Sequence, residues 1–344
     1  MQPTVTNPSS TGGAVTLTHW GVIRAQGVDA ASFLHGQLSN DVKGIAPAHA
    51  RLAAYCNAQG RMLASLIVTQ GMAPAAGEPP DLWLCCRADL LAATLKRLSM
   101  FVLRAKARLS DASADIAVIG LAGQSASSWL GNQGVVLDSA WSAAACAGGR
   151  VLRLPDAPGA SRYLWLGAGD QAPAMLAALP ALDLAGWDAL EITAGVVPVQ
   201  AATVGAFVPQ MLNYELVGGV DFKKGCYPGQ EIVARSHYLG KLKRRGVVLS
   251  ASSDAAAAQA GQEIWWSGDA GQPAGQVAHA AAVEGGWLLL AEMKIAALGD
   301  APDRAASTLH LGALGGPLLT RQPLPYALPQ EDTQDASLGR EPHA

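Results

Sequence analysis

Charge is scarce in this 344-residue chain. Only 15% of its residues are Asp, Glu, Lys or Arg, and they nearly cancel, leaving a net charge of −3. No global basic field is available to recruit nucleic acid. The shortage is not that of a disordered chain, because half of the residues are hydrophobic, enough to build substantial cores. Long apolar runs are also missing, and none approaches the ~20 residues of a membrane span. Cysteine is sparse and badly placed for pairing: Cys56, Cys85, Cys86, Cys146 and Cys226 are odd in number, with no Cys-x-x-Cys spacing. That argues against a disulfide framework and a zinc-ligand set, and for a reducing compartment. Met1 to Gly13 lacks the charge and apolar core of a signal peptide and the arginines of a transit peptide. No Gly-x-Gly-x-x-Gly occurs, so a dinucleotide fold has no support. A soluble cytoplasmic protein is expected, with loose ends over 1–14 and 329–344.

The length suggests about two or three domains. Leu17 to Ala25 reads as a strand. Asp29 is placed to cap a helix, with Val28 and Phe33 as a hydrophobic staple. Arg51–Asn57 and Met62–Thr69 flank Ala58-Gln59-Gly60-Arg61, a hairpin signal. Asp81–Cys86 reads as a strand, Asp89 to about Met100 as an amphipathic helix, and Val102–Leu109 as another strand. Strands and helices go on mixing, without regular βαβ repeats, to a helix over Gly186–Ala194, which favours α+β. After Gly240 short strands separated by Gly, Asp and Pro turns predict a small barrel or sandwich.

One stretch concentrates reactive groups: Lys223-Lys224-Gly225-Cys226-Tyr227-Pro228-Gly229-Gln230-Glu231. Lysine neighbours and a helix N-terminus both favour a thiolate at Cys226. Gly225 and Gly229 allow backbone amides to turn toward an anion. Most free cysteines are small core residues, and the other four, in apolar or Ala-rich stretches, read that way. Cys226 keeps polar company and reads as a reactive or metal-binding thiol. Glu231 fits a general base as well as ordinary first-turn acidic decoration. Arg235, one turn on, fits a partner of Glu231 or of a ligand carboxylate. Lys241 to Arg245 is the one basic cluster. It reads as a solvated strand edge, because no aromatic platform for stacked bases interleaves it. Trp20 and Trp187 sit beside His19 and Asp188. They serve either as core residues or as stacking surfaces for a flat heterocycle.

The octapeptide Lys224–Glu231 resembles the signature of the YgfZ family of folate-binding proteins, which includes a mitochondrial iron–sulfur assembly factor. Gly27 to Val42, Glu191-Ile192-Thr193-Ala194-Gly195, Phe207-Val208-Pro209-Gln210 and Leu324-Pro325-Tyr326 resemble further family segments. The resemblance covers about residues 15–328. It implies the architecture of the glycine cleavage T-protein: two interlocked α+β subdomains over 15–240 and a C-terminal β-barrel over 241–328, around a central folate channel.

The resemblance also implies a site. Trp20 and Trp187 match the positions thought to contact tetrahydrofolate or another folate, with Arg235 as a further folate contact. Lys224 and Cys226 are the functional core of the motif, with Gly225, Tyr227, Gly229, Gln230 and Glu231 around them. Cys226 is a candidate transient cluster ligand, and no other metal ligand is assigned. The implied partners are iron–sulfur proteins or their assembly machinery, with tRNA modification supported indirectly and no direct nucleic-acid binding. Two departures separate the chain from the T-protein. That transferase has an acidic pair after its hairpin, where Ala64-Ser65 stands here. It also has a glutamate in a Pro-x-Glu segment, where Pro209-Gln210-Met211 stands here. A non-catalytic folate-binding factor is therefore expected, with an aminomethyltransferase-like one-carbon transferase as the alternative. In that alternative Glu231 or Asp41 would stand in for the lost carboxylates.

Overall fold

The computed structural model describes residues 12–72, 79–238, 242–252, 257–298 and 307–329. Most of both expected loose ends, residues 73–78 of the Pro/Gly/Ala loop, Gly240 and Lys241 lie outside the described residues. The chain opens with β1 (Gly13–Thr16) and β2 (Trp20–Gln26). The single strand expected over Leu17–Ala25 is thus broken. Leu17 to His19 forms a turn, closed by the Trp20 N–H on the Leu17 carbonyl. The break matters, because β1 and β2 enter different sheets.

Next come α1 (Ala30–His35), the hairpin strands β3 (Ala50–Cys56) and β4 (Met62–Gln70), β5 (Leu82–Arg87), α2 (Ala88–Met100) and β6 (Arg108–Asp111). They form an antiparallel sheet in the order β3-β4-β5-β2-β6. Two local expectations fail here. Asp29 holds the N-cap position of α1, but its carboxylate accepts the Lys106 N–H at 2.7 Å instead of capping. Val28 is 65% exposed, so no staple forms. The strand expected over Val102–Leu109 shrinks to β6, because residues 101–106 turn, with Leu103 at φ 44°.

The second sheet holds β7 (Ile116–Ala122), β8 (Ala143–Cys146), β9 (Gly149–Ala157) and β10 (Ala160–Ala168), with α3 (Gly123–Asn132) and α4 (Ala172–Ala177) beside it. Its order is β1-β7-β10-β9-β8. The chain therefore starts in the second sheet, builds the first, and returns, which interlocks the two halves. Next is α5 (Leu184–Thr193), capped by the Asp183 carboxylate on the Gly186 N–H at 2.7 Å. Its residues are apolar on nearly every face, and such a helix is buried all round. It runs between the second sheet and the barrel, touching β1, β9, β13 and β14.

After α6 (Gln230–Tyr238), six strands close a barrel: β11 (Arg244–Ser252), β12 (Glu263–Trp266), β13 (Gly275–Val283), β14 (Gly286–Lys294), β15 (Leu309–Leu311) and β16 (Leu318–Gln322). The reading of Lys241–Arg245 as a solvated edge holds for the exposed Lys243 and fails for Arg244 and Arg245, whose side chains turn to buried partners. There β11 pairs with β14, and from Val248 on with β16 as well. Arg244 reaches both oxygens of the buried Glu292 at 2.8 Å. Arg245 is itself buried, paired with Glu215 and donating to the Gln210 carbonyl at 3.2 Å. These arginines weld the barrel to the preceding segment. Tyr326 does the same from the far end: its hydroxyl donates to the Gly195 carbonyl at 2.8 Å, just past α5.

Candidate functional site

The two halves and α5 enclose an apolar slot walled by Trp20, Leu52, Ile67, Trp141 and Tyr214, with Arg162 and Glu191 at its polar end. It is narrow, about 20 Å³, room for roughly one water. Trp141 closes one side and also lines a wider cleft of about 520 Å³. Asn40, His49, Arg51, Phe222, Lys223, His237 and Tyr238 border that outer cleft. Trp141 has φ 69°, an uncommon backbone for a bulky residue. Its indole N–H donates to the Val217 carbonyl at 2.9 Å.

Trp20 and Trp187 play different parts. Trp20 lines the slot, and its buried Nε1 has no protein hydrogen-bond partner. Trp187 is fully buried behind the slot, its ring so close to β7 that a Cβ on Gly120 would meet it at 2.5 Å. Its Nε1 donates to Glu191 Oε1 at 3.1 Å, and the Arg162 guanidinium lies 5.2 Å over its ring. The indole thus holds Glu191 and Arg162 in place. Burial pushes the Glu191 carboxyl up, against the pull of His279 and Arg162, and lowers Arg162 to about 10.

The polar neighbours of the two tryptophans turn out to meet. The turn between β1 and β2 brings His19 Nε2 to 3.3 Å from Asp188 Oδ1. His279 of β13 reaches the same oxygen at 3.3 Å and Glu191 Oε2 at 3.6 Å. Burial would raise the Asp188 carboxyl, but the two imidazoles hold it well below the usual range. His279 and Arg162 were not legible as site residues, since the β-strands carrying them are remote in sequence from α5.

The cysteine motif lies over α1 and the β3–β4 turn. Cys226 is exposed, whereas Cys56, Cys85, Cys86 and Cys146 are buried, with thiols raised by burial. Lys224 is half-buried. Its ammonium donates to the Leu38 carbonyl at 2.7 Å and to the His35 carbonyl, and lies 4.8 Å over the Tyr227 ring. Burial pulls Lys224 down to about 8, against the attraction of Asp41, Asp221 and Cys226. His35 Nδ1 and Asp41 Oδ1 are 2.9 Å apart, while His35 Nε2 faces Gly225. Burial would raise the Asp41 carboxyl; the N–H groups of Gly44 and Lys43, with His35, lower it.

Tyr227 is buried and Gln230 half-buried. Gly229 has φ 80°, and a Cβ there would meet the Asn57 carbonyl at 2.4 Å and Gly60 at 2.6 Å. Close approach to the hairpin turn therefore requires this glycine. Gly225 has no positive φ, so the anion-binding nest expected from both glycines has a left-handed residue only at Gly229. Glu231 and Arg235 are exposed on α6 and line neither the slot nor the outer cleft. Among the described residues no ion pair joins them. Asp221, Phe222 and Lys223, leading into the motif, do border the outer cleft. There Phe222 stacks on His237 with ring centroids 3.9 Å apart, beside Tyr238. That aromatic cluster is assembled from separate segments, and scanning for aromatics inside the basic run misses it.

No protein-family profile matches the chain. Individual relatives do. The chain is 30% identical over 325 residues to the tRNA-modifying protein YgfZ of Yersinia pestis (strain Pestoides F), covering 92% of this chain and 93% of that one. It is 29% identical over 328 residues to the tRNA-modifying protein YgfZ of Colwellia psychrerythraea, covering 91% and 93%. Its fold is that of the glycine cleavage system aminomethyltransferase T from Bartonella henselae, with a TM-score of 0.70 over 93% of this chain and 87% of that one, at 16% identity. That likeness carries the architecture of interlocked α+β sheets and barrel, while the sequence match over nearly the full length makes the chain a member of the YgfZ family.

Proposed function

We propose that the protein binds a reduced folate and acts as an accessory factor for iron–sulfur enzymes, through which it supports tRNA modification. The observation carrying this reading is the buried, unpartnered indole N–H of Trp20 in an apolar slot that ends in Arg162 and Glu191. A pterin has flat apolar faces and a polar edge, and this donor set suits it. Trp20 would donate to the ring edge, and Arg162 and Glu191 would meet its polar end. The ring enters only as the slot widens, and Trp141 is the wall that already sits in a strained backbone region. The outer cleft, with Arg51 and Lys223 on its border, suits the anionic tail. Bound folate supplies a carrier for one-carbon units. This chain's residues bind and orient it, and Trp141 shields the slot from solvent.

Cys226 is the group left free to act. Lys224 anchors its loop to the end of α1, and nothing in the described structure buries the thiol. It is suited to take sulfur or to hold a cluster transiently. Cys226→Ala should fold as the wild type does and bind tetrahydrofolate equally well, yet fail to restore cluster-enzyme activity in cells lacking the protein. Full restoration would remove the thiol from the function.

One observation favours the transferase reading. Glu191 is a carboxylate lining the slot, whereas neither Glu231 nor Asp41, the stand-ins considered from sequence, reaches it. Incubation with an aminomethyl donor and tetrahydrofolate separates the readings. Methylene-tetrahydrofolate formed by the wild type and not by Glu191→Gln would establish transfer. Its absence leaves the accessory role.

A further inference from the structure

Four side-chain atoms beside the slot are buried and lack a hydrogen-bond partner in the protein: His19 Nε2, Asp188 Oδ1, Glu191 Oε2 and His279 Nε2. They are not scattered. Those of Asp188, Glu191 and His279 lie within 4.8 Å of one another, and His19 Nε2 faces the same Asp188 oxygen at 3.3 Å. An ordinary imidazolium–carboxylate pair closes to about 2.7–2.9 Å along the N–H direction. Here the separations are 3.3, 3.3 and 3.6 Å, and none is in hydrogen-bond geometry. A tetrahedral cation with bonds of about 2.0–2.1 Å spreads its ligand atoms about 3.3–3.4 Å apart. Asp188, Glu191 and His279 present their atoms close enough together for one such ion, while His19 Nε2 stands outside that group, against Asp188.

We propose that Asp188, Glu191 and His279 form a binding site for a divalent first-row transition cation, with His19 supporting Asp188 from outside the ligand set. One imidazole and two carboxylates, with water in the fourth position, suit zinc, manganese or ferrous iron. The surroundings orient the ligands. The Gln200 amide lies against His279 Nδ1; turned so that its oxygen accepts the Nδ1 proton, it leaves Nε2 for the ion. The Trp187 N–H takes the far oxygen of Glu191 and leaves Oε2. Asp188 and the adjoining His19 are the more accessible, with side chains 20% and 18% exposed, so entry is from their side. Arg87 Nη1, 4.0 Å from Asp188 Oδ1, opposes the ion by charge. The site shares Glu191 with the folate reading, but metal uptake is measured without folate, so the two fail separately.

Uptake of Co2+ and Zn2+ by chelator-treated full-length protein, with any tag removed, tests the proposal. One ion per chain is expected, with the intense visible bands of four-coordinate Co2+. Asp188→Asn and His279→Gln should abolish uptake, and Gln200→Leu should weaken it by about ten- to a hundredfold. Where a core variant fails to fold, judged by circular dichroism, two rim variants decide. His19→Gln should weaken binding at least tenfold, and Arg87→Gln should tighten it. A wild type that takes up no ion, leaving the four atoms to a buried water, overturns the proposal. So does binding indifferent to His19→Gln and Arg87→Gln.

Discussion

The indole Nε1 of Trp187 donates to Glu191 Oε1, one turn along α5, at 3.1 Å. Both groups are buried, and Arg162 adds a cation over the same ring. Trp187→Phe leaves the carboxylate one donor short, which costs about 1–3 kcal/mol. The urea midpoint should fall accordingly. Trp20→Phe deletes an N–H that no protein group uses, so its midpoint should barely move while tetrahydrofolate affinity drops. Calorimetric titration and urea unfolding of both variants check this. The reverse pattern would exchange the roles given to the two tryptophans. Trp187→Ala is a poorer probe, since the cavity alone costs about 3–5 kcal/mol.

That division of labour was not readable from the chain. The family resemblance implies both Trp20 and Trp187 as ligand contacts, and sequence spacing says nothing about which indole faces a void. The secondary structure was largely readable, because β3, β4, β5, α2 and most barrel strands carry clean periodicity. β8 (AAAC) and β16 (LLTRQ) were missed: one is too small-sided and the other too polar to signal a strand. The Cys226 motif stood out as a local run, and so did the burial of the other cysteines. His279, Arg162 and Trp141 did not. Their roles come from three strands or turns meeting around α5, and from a positive φ at Trp141 that no residue preference predicts.

Gly225 and Gly229 look equivalent in the motif, but their surroundings predict opposite sensitivities. Alanine at 229 must accept φ 80° and drive its Cβ into the Asn57 carbonyl and Gly60. α6 would have to lift from the hairpin, at a cost of about 1–3 kcal/mol or more. Alanine at 225 meets only His35 Nε2, at an ordinary 3.6 Å. Gly225→Ala should unfold at the wild-type midpoint and Gly229→Ala well below it. Equal midpoints would mean that the hairpin contact is not what requires glycine.

Lys224 predicts a pH dependence of defined sign. Docking lowers its folded-state pKa from 10.5 to about 8. Above pH 8 the unfolded chain therefore holds more protons at this site, and its contribution to stability rises until about pH 10.5. Buried Cys56 and Cys86, raised to about 12, pull the other way at high pH. The informative quantity is therefore the difference between wild type and Lys224→Met. Measured by urea unfolding, that difference should grow in favour of the wild type from pH 8 to pH 10 and be flat from pH 6 to pH 7. A flat difference throughout would place the lysine at its ordinary pKa and its ammonium in solvent.

The outer cleft makes the folate reading quantitative. Arg51 and Lys223 line it together with His49 and His237, against the single carboxylate of Asp221. A folate with several γ-linked glutamates carries one more carboxylate per residue, and a cleft of about 520 Å³ has room for part of such a tail. Exposed charge pairs are each worth about 0.2–1 kcal/mol and are screened by salt. Triglutamyl tetrahydrofolate should therefore bind about two- to tenfold tighter than the monoglutamate at low ionic strength, and the advantage should shrink in high salt. Arg51→Gln should remove most of it and weaken monoglutamate binding less, because Arg51 borders the tail's cleft and does not line the slot. Affinities for the two ligands at two salt concentrations test the point. A tail-length preference that survives both salt and Arg51→Gln would put the tail outside this cleft.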